Sequence, residues 1–243
     1  SANATKRMAS ARPAASKICA SFCASAANTC SALAASASNT RARFKPSASV
    51  IAEVFTPSWV CNAQINLIDD AWFGRKEVFS RETINADGSK TWEINSEKIV
   101  YPKNKTWKQY IRETRLEIAC GEAPYITSRY DSTTGEFIPV EQRIGILDRK
   151  LRVINENVDS TGEWLKAAQI AYKNTYAFEW QGDSLLLARE AMLVSFIENY
   201  YQKFGKEPLL KSIQYIAYII SWNVWQMDGL KGVIPNSCAS KTE

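Results

Sequence analysis

Arg115-Leu-Glu-Ile-Ala-Cys-Gly-Glu-Ala-Pro-Tyr-Ile-Thr-Ser-Arg-Tyr130 is the stretch on which the fold turns. Leu116–Ala119 is a short, largely apolar run that carries one acid, Glu117. It runs directly into Cys120-Gly121-Glu122-Ala123-Pro124-Tyr125. A buried strand that ends in a tight turn of small residues has this pattern. Gly121 and Ala123 present little or no side chain, so a ligand can approach the backbone there. Small-residue turns are common, and the more distant segments of the chain decide whether this one matters.

Two downstream segments repeat the pattern of a strand delivering an acid. Tyr176-Ala-Phe-Glu179-Trp180 precedes a long apolar helix, expected to be capped by Asp183 or Ser184 and to end at Gly205. An acid at the tip of the second strand of a nucleotide-binding sheet can accept hydrogen bonds from both ribose hydroxyls, which is the role expected of Glu179. Trp180 would lie against the adenine face. A helix opened by Pro208, with Leu209, Ile213, Ile216, Ala217 and Ile220 inward, leads to Ser221–Met227. That segment reads as a third buried strand ending in Asp228-Gly229-Leu230.

Taken together, these motifs resemble the S-adenosylmethionine-binding part of the adenine-specific DNA methyltransferases of restriction-modification systems. Glu117-Ile-Ala-Cys120-Gly121-Glu-Ala123-Pro-Tyr125 is similar to their first motif, with Glu for the commoner Asp and Ala123 for the second Gly. Glu179-Trp180 is similar to the second. Asp228-Gly-Leu230 matches the third, where the Asp accepts the adenine amino hydrogens of the cofactor. Upstream, Glu53-Val-Phe55-Thr56-Pro57 resembles the element whose loop closes over the methionine end.

The resemblance implies an incomplete Rossmann-like α/β methyltransferase domain, with strands near 116–119, 176–180 and 222–227 in one parallel sheet flanked by helices. It implies S-adenosylmethionine as cofactor, held by Phe55, Thr56, Pro57, Glu117, Cys120, Gly121, Ala123, Glu179, Trp180, Asp228 and Leu230. DNA and a restriction or specificity subunit would be partners of the full-length protein, with a cytoplasmic location. The family's Asn/Asp-Pro-Pro-Tyr/Phe signature occurs nowhere in the chain, so no catalytic residue is assigned and the chain alone is expected to be inactive. An RNA or protein methyltransferase and a non-catalytic scaffold are the alternatives. A dinucleotide oxidoreductase is disfavoured because Gly-x-Gly-x-x-Gly is absent around Gly121.

Composition constrains the chemistry further. The 243 residues, 46% hydrophobic, suffice for one domain with a sizeable core. There is no histidine, which removes His bases, His ligands and His-dependent triads. Residues 1–50 hold seven of the 30 basic residues and no acid, leaving 23 basic against 25 acidic residues in the remainder, a net of −2. DNA affinity therefore cannot be argued from overall charge. Cys19, Cys23, Cys30, Cys61, Cys120 and Cys238 are spaced for neither a zinc site nor a disulfide framework, and read as free thiols. No run approaches a membrane span, so no membrane partner is expected.

The Ala/Ser-rich, acid-free residues 1–50 read as a disordered or loosely helical tail, or as non-native sequence joined near Ile51, ahead of a transit peptide. The domain then spans 51–243. Thr56 is expected to cap a helix with Pro57 in its first turn and Trp59, Val60, Ala63, Leu67, Ile68 and Ala71 inward. Residues 73–114 look like an insertion containing a hairpin with its turn at Asn85–Gly88, then a short helix with Trp107, Tyr110 and Ile111 on one face. Pro139 is expected to open a helix with Val140, Ile144, Leu147, Leu151 and Ile154 inward, and Arg143, Arg149, Lys150 and Arg152 on a solvated basic face. Ser160–Glu163 reads as a capping box before a helix with Trp164, Leu165, Ala168 and Ala171 inward.

Overall fold

The computed structural model describes residues 55–235 and Ser237. The expected tail, the domain start at 51–54 and Cys238 lie outside the described residues. Helix α1 (Ser58–Phe73) leads into an antiparallel hairpin, β1 (Ser80–Ile84) and β2 (Lys90–Ile94). Helix α2 (Trp107–Arg112) and strand β3 (Arg115–Ile118) come next. After a 3-10 turn at Val140–Gln142 come α3 (Ile146–Asn157), α4 (Thr161–Lys173), β4 (Thr175–Glu179), α5 (Gly182–Phe204), α6 (Leu210–Asn223) and β5 (Val224–Gln226).

Strands β3, β4 and β5 form a parallel sheet in that order, with Leu116 opposite Tyr176, Ile118 opposite Phe178, and Glu179 opposite Gln226. The three expected strands are therefore adjacent and run the same way, so their carboxyl ends lie together. The protein is a mixed α/β fold with helices packed on this sheet. Trp164 of α4 is fully buried and packs edge-on to Tyr200 at 5.3 Å, joining α4 to α5. Its indole N–H donates to Asn155 Oδ1 at 2.6 Å. No helix among the described residues is long and apolar enough to cross a membrane.

Several boundaries differ from expectation. Pro57, not Thr56, is the N-cap of α1, and its carbonyl accepts from Val60 and Cys61. The free Ser58 N–H donates to Asp131 Oδ2 at 2.8 Å, so a distant loop caps this helix. Its inward face is also different. Cys61, Asn62, Ile65, Asp69, Trp72 and Phe73 are buried, whereas Leu67 is 71% exposed and Ala71 also faces outward. Helix α5 is capped by Gln181 without a side-chain bond, although Gly205 closes it in the left-handed conformation as expected. Ser221–Asn223 complete α6 rather than starting β5, and Trp225 is 40% exposed because β5 is an edge strand. Leu209 lies outside α6 and is exposed. Ser160 caps α4 by accepting from the Glu163 N–H, with Trp164, Ala168 and Ala171 buried as read.

The reading of α3 needs the largest correction. Leu147, Leu151 and Ile154 point inward as expected, but Arg143, Arg149 and Lys150 are buried too. Arg149 Nη1 reaches Asp69 Oδ2 at 2.7 Å, and its Nη2 donates to Asn62 and Asn66 Oδ1 at 2.9 and 2.8 Å. Lys150 Nζ donates to the Glu113 and Asn174 carbonyls at 2.6 and 3.0 Å, next to the starts of β3 and β4. Arg143 pairs with Glu198 at 2.7 Å. The polar face of α1 is thus inward because Asn62, Asn66 and Asp69 solvate the Arg149 guanidinium of α3. Residues 73–114 are likewise built into the body, since Phe73, Val78, Phe79, Ile99, Tyr110 and Ile111 belong to the main core.

Candidate functional site

The site is built on the backbone after β3. Ala119, Gly121 and Ala123 alternate in the left-handed region, with φ of 55°, 54° and 62°. For the two alanines this costs on the order of 1 kcal/mol each, strain that the surrounding hydrogen bonds must hold in place. The Cys120 N–H continues the sheet to the Phe178 carbonyl at 3.0 Å, and the Ala123 carbonyl accepts from Ile126 and Thr127, both at 3.0 Å. A Cβ placed on Gly121 would meet nothing within 4 Å, so the turn faces open space.

Glu179 joins the first two tips. Its Oε2 accepts the Gly121 N–H at 2.6 Å, and its Oε1 accepts the Gln181 N–H at 2.8 Å. The residue is only 7% exposed, yet each oxygen has a lone pair left for a ligand. The third tip connects at once, because the Met227 N–H donates to the Glu179 carbonyl at 2.9 Å. The loop after β5 crosses back over β3. A Cβ on Gly229 would lie 2.3 Å from Ile118 Cγ2, so only glycine allows this approach.

Asp228 partly serves its own turn. Its Oδ1 accepts the Leu230 and Lys231 N–H groups, both at 3.0 Å, and these bonds hold its carboxyl below the usual carboxylate range. Its Oδ2 lies 3.9 Å from Lys231 Nζ. Trp180 is 50% exposed and Leu230 92%, two apolar surfaces at the tips. Gln226 Nε2 donates to the Trp180 carbonyl at 3.0 Å.

Glu117 is the least satisfied group in the site. Burial pushes its carboxyl up to about 8, opposed by the backbone N–H groups of Tyr125 and Ile126 and reinforced by Glu179. Its Oε2 has no hydrogen-bond partner. Burial, with Glu117 next in importance, raises the Cys61 thiol to about 12 and pushes Cys120 up as well. Both stay protonated and are poor nucleophiles at neutral pH.

Phe55–Pro57 reaches the same region through α1. The Tyr125 hydroxyl donates to Gln64 Oε1 at 2.8 Å and lies beside the Thr56 hydroxyl. Phe55 is exposed and Pro57 half-buried. The fold therefore brings Glu117, Cys120, Gly121, Ala123, Glu179, Trp180, Asp228 and Leu230 to one end of the sheet, with Thr56 tied to the turn through Tyr125. The sequence reading missed Asp131. Burial works against its ionisation, but hydrogen bonds from Thr133, Ser58 and Thr134 hold its carboxyl well below the usual range. Asp131-Ser-Thr-Thr-Gly135 carries the usual composition of such an Asx turn, which was the available signal.

A separate cleft of about 1500 Å³ lies between the hairpin and the 131–143 loop, lined by Trp59, Lys90, Trp92, Phe137 and Arg152 among others. None of the strand-tip residues lines it, although Pro57, expected at the methionine end, does. Several of its charged walls are already engaged, Arg152 with Glu156 at 2.9 Å and Lys203 with Asp159 at 2.7 Å. Its size alone is a weaker pointer than the convergence of groups at the strand tips. No protein-family model, curated protein or solved structure matches the chain.

Proposed function

We propose that the carboxyl ends of β3, β4 and β5 bind S-adenosylmethionine, and that the chain is the cofactor-binding part of an adenine-specific DNA methyltransferase of a restriction-modification system. The observation that carries this reading is the Gly121–Glu179 hydrogen bond, which links a left-handed small-residue turn to a strand-tip carboxylate. Ligands of open parallel sheets bind at this end of the strands. The residues present fit the cofactor. Gly121 leaves room above the backbone, the Glu179 carboxylate keeps acceptor capacity, and Trp180 offers an exposed aromatic face.

In this reading Gly121 lies against the methionine end, with Ala123 buried in the core beneath the turn, and Thr56, held beside Tyr125, closes that end with Phe55 and Pro57. Glu179 accepts the ribose hydroxyls, Trp180 and Leu230 flank the adenine, and Asp228 accepts its amino hydrogens through Oδ2. When bound, the cofactor supplies an electrophilic sulfonium methyl. The protein's own contribution is position and electrostatics. DNA and a restriction or specificity subunit are the proposed partners of the full-length protein, in the cytoplasm.

Titration calorimetry with S-adenosylmethionine tests the reading. Glu179→Ala removes charge-assisted hydrogen bonds of about 1.5–3 kcal/mol each and should weaken binding tenfold or more. Glu179→Gln, which keeps one acceptor oxygen, should fall between. Absence of binding to the wild type, or equal affinity for Glu179→Ala, would sink it.

A further inference from the structure

We infer that the outer face of α6 and the adjoining edge of β5 bind single-stranded DNA, whose bases stack on Tyr215, Tyr218, Trp222 and Trp225. This goes beyond the S-adenosylmethionine reading, does not rest on it, and uses none of the residues assigned to that cofactor. Lys211, Tyr215, Tyr218 and Trp222 recur at every third or fourth position of α6 and so stand on one face of the helix. All four aromatic residues are exposed, Trp222 to 57%. Their rings run in single file, with centroids 6.4, 6.2 and 6.3 Å apart, and those of Tyr215 and Tyr218 are inclined by only 22°. That spacing is about twice the 3.4 Å rise between stacked bases, so each ring can serve one base of an extended strand. The Trp225 indole N–H donates to the Trp222 carbonyl at 2.6 Å, which holds the file in place before a ligand arrives.

Charge selects the partner. Helix α6 and strand β5 contain no Asp or Glu and one cation, Lys211. Lys173 of α4 lies over the Tyr215 ring at 5.5 Å, and Arg189 of α5 reaches the Val224 carbonyl at 2.6 Å. Cations therefore flank both ends of the file, while Glu207 and Asp228, the carboxylates nearest in sequence, lie beyond it. The positions beside the rings are Gln214, Ser221 and Gln226, so the file does not widen into the broad apolar patch that a protein partner would bury. The Ser221 hydroxyl is turned back to the Tyr218 carbonyl at 2.7 Å, so a deoxyribose strand, with no 2′-hydroxyl to satisfy, suits the face better than a ribose one. Aromatic rings flanked by cations hold a single strand without reading its sequence.

The test is fluorescence anisotropy of labelled oligothymidylate, twelve nucleotides long, titrated with the full chain at low and physiological salt. Saturable binding that weakens with salt is expected. Tyr218→Ala and Trp222→Ala, both at exposed positions, should each weaken it roughly fivefold or more, and Lys173→Ala should lower the salt slope by about 0.7. Circular dichroism and S-adenosylmethionine affinity should be unchanged in these variants, which separates this face from the strand-tip site. Oligouridylate of the same length should bind no more tightly. Absence of binding at low salt, equal affinity for Trp222→Ala, or tighter binding of oligouridylate would overturn the proposal. Self-association that is lost in Trp222→Ala, without binding of oligothymidylate, would overturn it in favour of a second copy of the chain.

Discussion

Replacing Arg149 with methionine probes the reversal of α1 and α3 most severely. Arg149 is 1% exposed and donates to five acceptors, Asp69 Oδ2, Asn62 Oδ1, Asn66 Oδ1, the Ile144 carbonyl and, at 3.5 Å, Ser80 Oγ. Methionine fills much of the same space but leaves the Asp69 carboxylate buried with only the Tyr110 hydroxyl, at 3.0 Å. Stranding a buried charge in this way costs about 3–5 kcal/mol. For a domain of this size, each kcal/mol lowers Tm by roughly 2–4 °C, so a fall of about 6–20 °C is expected. Urea denaturation followed by circular dichroism measures it, with an unchanged m-value showing that the folded state keeps its compactness. Adding Asp69→Asn to Arg149→Met removes the stranded charge and should recover part of the loss. A cost below about 1 kcal/mol, as expected of a solvated arginine, or a double variant no more stable than the single one, would refute the buried network.

The site itself yields three further expected outcomes. Glu117 titrates at about 8 in the fold against an ordinary value near 4.5, so the folded state binds more protons between those limits. Its contribution is complete below about pH 4.5 and is lost as pH rises through 8; the stability difference between wild type and Glu117→Gln, tracked by urea titrations across this range, should shift in that direction. Ala119→Gly relaxes an exposed left-handed alanine at φ 55° and should stabilise the apo protein by up to about 1 kcal/mol, read as a higher urea midpoint. Gly229→Ala drives a methyl group to 2.3 Å from Ile118 and should cost about 1–3 kcal/mol, partly relieved by Ile118→Val in thermal melts.

What could be read from the chain was what local pattern encodes. The three strand runs, the small-residue turn at Gly121, the hairpin turn at Asn85–Gly88 and the helix stop at Gly205 all carry their physics in adjacent residues. The parallel order of β3, β4 and β5 came from that pattern and the handedness of crossovers. The burial of Arg143, Arg149 and Lys150 was not legible, because helical periodicity assigns charges to solvent by default. Their partners lie far away in sequence, with Asp69 eighty residues from Arg149. The apolar residues Leu67 and Ile68 pointed to the wrong face of α1 for the same reason, since that helix turns its amides and carboxylate inward. Within the site, the adjacency of Gly121 and Glu179 was foreseeable from strand order. The left-handed alanines and the unpartnered Glu117 oxygen depend on how the turn closes, which no residue pattern states.

The most direct test of the strand-tip site is the amide NMR spectrum of the ¹⁵N-labelled chain during titration with S-adenosylmethionine. The Gly121 N–H, bonded to Glu179 at 2.6 Å, reports on any ligand that competes for that carboxylate. Saturable shifts at Gly121, Ala123, Gln181 and Leu230 together, and absent in Glu179→Ala, are the predicted result. A spectrum unchanged at saturating ligand, or shifts confined to the cleft beside the hairpin around Trp59 and Trp92, would contradict it.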